Sequence, residues 1–212
     1  MTAYYPLFAD LHGRRCVVAG GGAIAQRKVT TLLQYGAEVT VVSPTLTARL
    51  SRLARDRRVR HVARRFRAGD VRGAWLVYAA TNDETVNDAV FRAAARQRIF
   101  ANVVDQPARC SFIAPAILRR GPLVIAVSTG GASPTVAKRL RDELDSLVGD
   151  EYAALVRLFG RLRDPARRQL PTYRDRKRYF ERLVSGRVRQ LVRRGRVSAA
   201  HREALAELNG GR

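Results

Sequence analysis

The sequence predicts an α/β protein that begins with a doubly wound parallel sheet and continues into a small α/β segment and a C-terminal helical domain. Three observations predict this class. Apolar, β-branched runs alternate with segments of helical periodicity through roughly the first hundred residues. A glycine triplet at 20–22 follows the first apolar run. Beyond residue 149 the pattern is helical and basic, and we expect helix breaks near Pro165 and Pro171.

The alternation begins with an apolar strand at 15–19, a helix at 25–35 and a second strand at 37–43. Gly36 ends the helix and Pro44 ends the second strand. The pattern continues with a helix at 45–56, strands at 59–63 and 75–80, a helix at 83–96 and a strand at 100–104. Strands joined by helices require right-handed crossovers and a parallel sheet. This is the Rossmann architecture, which binds its ligands at the carboxyl ends of the strands.

The loop after the first strand has the glycine spacing of a dinucleotide site. Gly20 permits the tight turn, Gly22 lets the backbone approach a pyrophosphate, and Ala25 permits close packing of the helix on the strand. The helix then directs the N–H groups of Ala23 and Ile24, and its positive dipole end, at the phosphates. A glycine triplet also serves as a plain strand-to-helix turn. Its place inside a βαβ unit of about 30 residues favours the dinucleotide.

The acidic residue that commonly binds the adenosine ribose is missing at the end of the second strand, where Ser43, Pro44 and Thr45 stand instead. Without that carboxylate the sequence does not distinguish NAD from NADP. We expect these three residues on the adenosine side of the cofactor. Thr81 and Asn102 lie at the ends of later strands and are expected to face the cofactor, or else to serve as turn and cap residues.

The charge is unusual for a chain of this size. Among 212 residues, 40 Lys+Arg against 18 Asp+Glu give a formal charge of +22, and nearly all the excess is arginine. Such a field attracts polyanions. Nucleic acid is disfavoured, because zinc-finger spacing, an RNP-like motif and basic-region heptads are all missing from the sequence. The charge is consistent with a small acidic substrate and also with a general arginine bias of solvated surfaces.

The composition does not indicate a membrane span, a secretory signal or a metal site. Apolar residues make up 46% of the chain, without an uninterrupted run of membrane length. The first residues lack the basic and apolar regions of a signal peptide, so we expect a soluble cytoplasmic protein. The two cysteines and three histidines are isolated from one another in sequence, which predicts no preformed metal site.

Separated segments of the chain stand in a recognisable order and spacing: 5–8 (YPLF), 18–22 (VAGGG), 25–28 (AQRK), 79–83 (AATND), 102–105 (NVVD), 111–113 (SFI) and 127–134 (VSTGGASP). In these segments the chain resembles the precorrin-2 dehydrogenases, which are also the N-terminal domains of sirohaem synthases. Some members are sirohydrochlorin ferrochelatases as well. The resemblance extends over residues 4–170 and is far more specific than a glycine loop.

The resemblance implies NAD-dependent oxidation of precorrin-2 to sirohydrochlorin by a homodimer. It implies an NAD(P)-binding domain at 1–113, a dimerisation segment at 114–149 and a basic helical domain at 150–212. The sequence supports these boundaries with an apolar strand at 123–127 and a helix at 133–148 that begins at Ser133 and Pro134. The chain has no room for the methyltransferase domain of fused sirohaem synthases, so we expect a separate enzyme to supply precorrin-2.

Asp105 follows an apolar strand at its carboxyl end, where it is placed to accept a proton. The resemblance implies that it is the catalytic group, whereas an aspartate before Pro107 also commonly caps a turn. The resemblance likewise places Ser128, Thr129, Gly130 and Gly131 against the tetrapyrrole. A plain strand-to-helix turn is the alternative for that segment.

Precorrin-2 is a polycarboxylate, so a basic cleft beside the dinucleotide would have an electrostatic purpose, with arginine forks binding the carboxylates. Ferrochelation, with Fe(II) as a further substrate, would use Asp105 and the pyrrole nitrogens of sirohydrochlorin. A different class of function is an NAD(H)-binding sensor or regulator without catalysis. Asp105 and the turn at 127–134 count against a sensor, which needs neither.

Overall fold

The computed structural model describes residues 4–210. The chain divides into two compact units, Met1–Ala114 and Pro115–Arg212. The strands of the first unit are β1 (Arg15–Ala19), β2 (Glu38–Val42), β3 (Arg60–Val62), β4 (Leu76–Ala79) and β5 (Phe100–Val103). Its helices are α1 (Ala23–Gln34), α2 (Ala48–Arg55) and α3 (Glu84–Arg96), with short 3₁₀ turns at Ala68–Val71 and Pro107–Arg109.

The five strands form one parallel sheet in the order β3-β2-β1-β4-β5. At the carboxyl edge Ala19 of β1 lies between Val42 of β2 and Ala79 of β4. Because the chain continues from β1 to one side and from β4 to the other, the loops after these strands diverge and leave a crevice between them. The predicted doubly wound sheet is confirmed.

Side chains of β1 alternate between the two faces of the sheet, and each face is covered by its own helices. Val17 and Ala19 belong to the apolar cluster that includes α3. Cys16 and Val18 belong to the cluster that includes α1 and α2. All four are completely buried. The continuous apolar run of β1 is therefore explained by burial on both faces, and it gives the loops at the carboxyl edge a rigid base.

The second unit begins with the antiparallel hairpin β6 (Ala116–Arg120) and β7 (Leu123–Val127), followed by α4 (Pro134–Leu147). The remaining helices are α5 (Asp150–Gln169), α6 (Tyr173–Ser185), α7 (Arg187–Arg193) and α8 (Val197–Gly210). These four helices share one apolar core. Within it the hydroxyl of Tyr179 on α6 donates a hydrogen bond of 2.8 Å to the carbonyl oxygen of Ala204 on α8.

The expected helix break at Pro165 is wrong, because α5 continues through this residue. A proline inside a helix removes one backbone hydrogen bond and costs about 3 kcal/mol. Leu158, Leu162 and Ala166 lie on both sides of it in sequence and are all completely buried. Their packing holds the helix together. The expected break at Pro171 is confirmed, because α5 ends at Gln169 and α6 begins at Tyr173.

The strand β6 was not anticipated from the sequence. It ends in Arg119 and Arg120, and only Leu118 of its five residues is buried. An edge hairpin of this kind lacks the continuous apolar run that identified the other strands. None of the helices within residues 4–210 is both long and apolar enough to cross a membrane.

Candidate functional site

Three consecutive glycines join β1 to α1, and each is glycine for a different reason. Gly20 has φ +115°, and a Cβ atom there would collide with the carbonyl of Ala80. A Cβ atom at Gly21 would collide with the carbonyl of Thr45. Gly22 has an ordinary φ of −81°, and no described atom lies within 4 Å of its Cβ position. Packing does not require glycine at 22, so the open space in front of it is available to a ligand.

The N-terminus of α1 lies beside this open space. Gly22 is its N-cap and provides no side-chain hydrogen bond, and the first turn contains no acidic residue. Ala23 is exposed and Ile24 is half-buried, whereas Ala25 is buried against the sheet. The first N–H groups of a helix have no acceptor within the helix. Together with the helix dipole, they form a site for an anion such as a pyrophosphate.

The segment after β2 lies directly against the glycine loop. Thr47 donates its backbone N–H to the carbonyl oxygen of Gly21 at 3.0 Å and its hydroxyl to Oε1 of Gln26 at 2.7 Å. Ser43 is buried, and its carbonyl oxygen accepts a 2.9 Å hydrogen bond from Nε2 of His61. Pro44 and Thr45 are exposed. These bonds fix the loop at the position where a Rossmann domain binds the adenosine ribose.

The hydroxyl of Ser43 has no hydrogen-bond partner among residues 4–210 and lies beside the glycine loop, 2.8 Å from the position that a Cβ atom would take at Gly21. The free hydroxyl at the end of β2 is therefore available to a ribose, and as a neutral group it does not repel a 2′-phosphate.

Thr81 follows β4, and its side chain forms hydrogen bonds within the protein. Its hydroxyl lies 2.8 Å from Oδ1 of Asn87 and 3.0 Å from the carbonyl oxygen of Asp83. Nδ2 of Asn87 in turn donates to the carbonyl oxygen of Thr81 at 3.0 Å. The structure thus gives Thr81 the turn-forming role that the sequence left as its alternative. A contact between Thr81 and the cofactor stays a prediction.

Asn102 near the end of β5 is also committed to internal hydrogen bonds. Its Nδ2 donates to the carbonyl oxygen of Phe112 at 3.0 Å and approaches Sγ of Cys110 at 3.5 Å. The thiol of Cys110 donates to the carbonyl oxygens of Val103 and Gln106, at 3.2 and 3.3 Å. These bonds close the loop that contains Asp105. Burial, as the largest cause, raises the pKa of the Cys110 thiol above its usual value, so Cys110 acts here as a neutral hydrogen-bonding group.

Asp105 is exposed at the tip of that loop and has φ +60°. The left-handed region is uncommon for residues other than glycine, although aspartate tolerates it better than most. The N–H of Gln106 bonds to the carbonyl oxygen of Val103 at 3.2 Å and completes a tight turn around Asp105. The carboxylate therefore stands clear of the sheet edge beyond β5, which is the geometry that a proton acceptor for a bound ligand requires.

Lys28 is a candidate site residue that the sequence reasoning did not single out. Its ammonium nitrogen lies 4.9 Å from the centre of the Tyr78 ring, and Tyr78 is only 7% exposed. Burial, followed by the charge of Arg27, lowers the pKa of Lys28, while Asp105 and Cys110 act in the opposite direction. The available sequence signal was its rarity, since Lys28, Lys138 and Lys177 are the three lysines in a chain full of arginine.

The predicted substrate-binding turn belongs to the second unit. Gly130 and Gly131 have φ values of +64° and +87°, and Ser128 accepts a 3.1 Å hydrogen bond from the N–H of Gly130. The hydroxyl of Thr129 donates to the carbonyl oxygen of Ser133 and accepts from its N–H, both at 3.0 Å. Ser133 caps α4 through the N–H of Val136 at 3.2 Å. The turn is well ordered by its own bonds, and its substrate contact stays a prediction.

Within the described chain, 4–210, there is no group of three or more His, Cys, Asp or Glu residues that could hold a metal ion. The features that fit a ligand are instead those of a dinucleotide. They are the open space at Gly22, the uncapped start of α1 and the unpartnered hydroxyl of Ser43. All of them lie at the carboxyl edge of the first sheet.

The fold and this edge define a dinucleotide-binding protein of the doubly wound α/β class. Residues 7–116 match the family described as putative NAD(P)-binding, which covers more than half of the chain. Residues 120–147 match the central region of sirohaem biosynthesis proteins, and residues 151–208 match the sirohaem synthase dimerisation region. The chain therefore belongs to this putative NAD(P)-binding family.

Curated relatives agree with this assignment. The chain is 40% identical over 205 residues to the siroheme synthase of Mannheimia succiniciproducens, covering 97% of this chain and 43% of that protein. It is 38% identical over 209 residues to the siroheme synthase of Neisseria meningitidis serogroup B, covering 99% of this chain and 43% of that protein. The chain therefore spans less than half the length of the curated relatives it matches.

Among solved structures, the chain is similar to SirC, a precorrin-2 dehydrogenase, with a TM-score of 0.79 and 26% sequence identity. The match covers 98% of this chain and 100% of that chain. The similarity thus includes both units and not the Rossmann domain alone.

Proposed function

We propose that the chain is a precorrin-2 dehydrogenase, which oxidises precorrin-2 to sirohydrochlorin with NAD as the electron acceptor. The observation that carries the proposal is the match to a precorrin-2 dehydrogenase over essentially the whole of both chains. Siroheme synthases at about 40% identity support the same pathway. An NAD(H)-binding sensor is the competing class. It would not require an exposed, conformationally strained aspartate at the nicotinamide side of the site.

Different residues of the first unit would contact different parts of the bound NAD. Gly20 and Gly22 would let the backbone approach the pyrophosphate, and the N–H groups of Ala23 and Ile24 would bind it. Ser43, Pro44 and Thr45 would contact the adenosine ribose. Thr81 and Asn102 would shape the nicotinamide side. In the second unit, Ser128, Thr129, Gly130 and Gly131 would contact the tetrapyrrole.

The balance of the reaction leaves one task for a protein side chain. Precorrin-2 loses a hydride and a proton, so that precorrin-2 and NAD⁺ yield sirohydrochlorin, NADH and a proton. When bound, the nicotinamide accepts the hydride. Asp105 would accept the proton, because it is an exposed carboxylate held beyond β5. The rigid loop around it keeps that carboxylate in place.

Anaerobic incubation with precorrin-2 and NAD, followed by absorbance of sirohydrochlorin and NADH, tests the proposal. We expect both products to appear in equal amounts. A parallel reaction with NADP measures cofactor preference, which the neutral Ser43 does not determine. Absence of sirohydrochlorin with both cofactors, from protein that binds NAD, would favour the sensor.

Ferrochelation is a separate proposal with its own test. Asp105 would accept the protons that the pyrrole nitrogens release when Fe(II) enters sirohydrochlorin. Sirohydrochlorin is incubated with Fe(II) or Co(II), with and without the protein, and the rate of metal insertion is followed by absorbance. A rate equal to that of the protein-free reaction would leave the chain a dehydrogenase alone.

We propose that the working form is a homodimer in the cytoplasm. The match of residues 151–208 to the sirohaem synthase dimerisation region supports the dimer. The resemblance instead placed dimerisation in 114–149. Residues 136–147 of α4 also expose apolar side chains, with Val136, Leu140 and Leu147 each at least 45% exposed. Sedimentation equilibrium tests the dimer, and charged substitutions at Leu140 and, separately, at Val184 of α6 distinguish the two regions.

A further inference from the structure

Lys28 occupies an unusual position for a lysine. It is half-buried on α1, and its ammonium group lies over the face of Tyr78, a nearly buried residue of β4. Among residues 4–210 the ammonium has no hydrogen-bond acceptor and no carboxylate within the 4.0 Å of an ion pair, and the charges that act on it do so at longer range. A half-buried ammonium without an ionic partner loses part of its hydration, and this loss costs free energy in the folded protein. The face of an aromatic ring offsets only part of that cost.

The direction of the Lys28 side chain determines which part of a ligand it can reach. A helical side chain leans toward the N-terminus of its helix, and for α1 this is the carboxyl edge of the sheet. The contact with Tyr78 places the ammonium over β4, and its electrostatic partners Asp105 and Cys110 follow β5. This is the nicotinamide side of a Rossmann crevice, not the adenosine side beyond β2.

The chemistry of that side limits what the ammonium can bind. The phosphates of the cofactor belong to the start of α1, about 7 Å back along the helix axis from residue 28. The nicotinamide ring is cationic when oxidised and repels an ammonium, and its carboxamide offers only one uncharged acceptor. The substrate must lie against the nicotinamide for hydride transfer. The remaining anion on this side is therefore one of the carboxylates of the substrate.

We propose that Lys28 binds a carboxylate of the tetrapyrrole substrate beside Asp105. This inference rests on the proposed function and identifies a substrate-binding residue for it. When the substrate binds, its carboxylate would give the ammonium the ionic partner that it lacks in the free protein. The titratable and charged groups that act on the ammonium are Arg27 from the same helix, Tyr78 from β4, and Asp105 and Cys110 after β5.

Binding measurements with Lys28→Met and Lys28→Gln test the proposal. Sirohydrochlorin and NAD are titrated separately by fluorescence quenching into wild type and each variant. We expect sirohydrochlorin to bind about tenfold more weakly to both variants, the loss of one charged hydrogen bond, with the Kd for NAD unchanged. Lys28→Arg should restore most of the affinity. Lys138→Met, at an exposed lysine of the second unit, is the matched control and should behave as wild type.

Each other outcome contradicts a specific claim. Equal affinity of Lys28→Met and wild type for sirohydrochlorin would overturn the inference while leaving the proposed function intact. A loss of NAD affinity equal to the loss for sirohydrochlorin would assign Lys28 to the cofactor and also overturn it. Failure of the wild type to bind sirohydrochlorin at all would reject both the inference and the proposed function.

A second measurement needs no substitution beyond the one that assigns the signal. Reductive methylation with ¹³C-formaldehyde gives NMR signals from the three lysines and the N-terminus, and Lys28→Arg assigns the signal of Lys28. We expect that signal to titrate below the ordinary pKa of a lysine, because burial lowers the pKa of Lys28. Sirohydrochlorin should move its titration to higher pH, because a bound carboxylate favours the charged form. An unchanged titration with saturating sirohydrochlorin would contradict the proposal.

Discussion

Gly20 and Gly22 are the same residue type, but they meet different physical requirements. Gly20 has a positive φ, and the carbonyl of Ala80 occupies the position that a Cβ atom would take, so the fold itself requires glycine. Gly22 has an ordinary φ and faces open space, so only a ligand would require it. This difference separates folding from binding within one short loop.

Substitutions at these two glycines should therefore affect different properties: NAD binding at Gly22 and the stability of the fold at Gly20. We expect Gly22→Val to weaken NAD binding by about 100-fold, or ~2.7 kcal/mol, with an unchanged melting temperature. Gly20→Ala should lower the free energy of unfolding by at least about 1–2 kcal/mol, because an L-residue is strained at that φ. Calorimetric titration with NAD and urea unfolding measure the two effects. Weak binding by Gly22→Val accompanied by equal destabilisation would contradict the distinction.

Asp105 provides a test of chemistry without a change of shape. Asparagine keeps the size of the side chain and tolerates a positive φ, so Asp105→Asn should fold with normal stability and bind NAD normally. Turnover should fall by about 10²–10⁴-fold, which is the usual contribution of a general base. Steady-state kinetics with precorrin-2 measure this effect. Asp56→Asn, at an exposed carboxylate after α2, is the control; full activity of Asp105→Asn would remove Asp105 from the reaction.

At the scale of elements, the segment between β3 and β4 is fixed by one carboxylate. Arg64 donates two hydrogen bonds to Asp70, at 2.9 and 2.7 Å, and the backbone N–H of Arg67 donates another at 2.7 Å. The hydrogen bonds from Arg64 are the largest cause that lowers the pKa of Asp70. This network caps the 3₁₀ turn at Ala68–Val71 and fixes the connection between the two strands.

Asp70 should therefore make the first unit sensitive to acid. A carboxylate with a lowered pKa in the folded state stabilises the fold above its unfolded pKa of about 3.9, and the stabilisation is lost as the pH falls through the folded value. Asp70→Asn should cost about 1–3 kcal/mol at neutral pH. The difference from wild type should shrink below about pH 4. Urea unfolding across this range measures it, and a difference independent of pH would show that Asp70 acts by shape alone.

Pro165 leads to a stabilising prediction for α5. Alanine at this position restores a backbone N–H inside a helix whose neighbours on both sides are already packed. We expect Pro165→Ala to raise the free energy of unfolding of the helical unit by about 1–3 kcal/mol. Urea unfolding followed by circular dichroism measures the change. Loss of stability would mean that the proline ring itself contributes essential packing.

The sequence was sufficient for elements with strong local patterns. The apolar run of β1, the glycine loop and the helix starting at Ser133 all follow from residues close in sequence, and each is found where it was expected. The features that the sequence could not predict depend on contacts between residues that are distant in sequence. Three features become visible only in the folded structure: the packing that stabilises α5 around Pro165, the hydrogen bond of Thr81 to Asn87, and the contact of Lys28 with Tyr78.

For the whole molecule, the formal charge of +22 is the dominant long-range property. A field of this size raises the local concentration of a polyanionic substrate and accelerates its association. Exposed charges are screened as salt increases, with a Debye length of about 10 Å at 0.1 M and about 3 Å at 1 M. The charge is therefore expected to act mainly on the capture of substrate.

The salt dependence of catalysis should show this effect. We expect the KM for precorrin-2 to rise several-fold between about 0.05 and 0.5 M NaCl, with a smaller change in kcat and in the KM for NAD. The cofactor carries fewer charges, and in the proposed site it would be bound by backbone N–H groups at close range. Initial rates at fixed pH measure these constants. Equal salt dependence for both substrates would indicate a general effect of salt on the protein.

The order of strands also has a consequence for folding. β1, α1 and β2 are contiguous in the chain, whereas β4 reaches β1 only after a long intervening segment, with Leu76 beside Cys16. Contacts between distant segments form late, because the loop between them must close first. The crevice between β1 and β4 is then complete only in the last stage of folding. The cofactor would accordingly slow the unfolding of the finished domain without speeding its assembly.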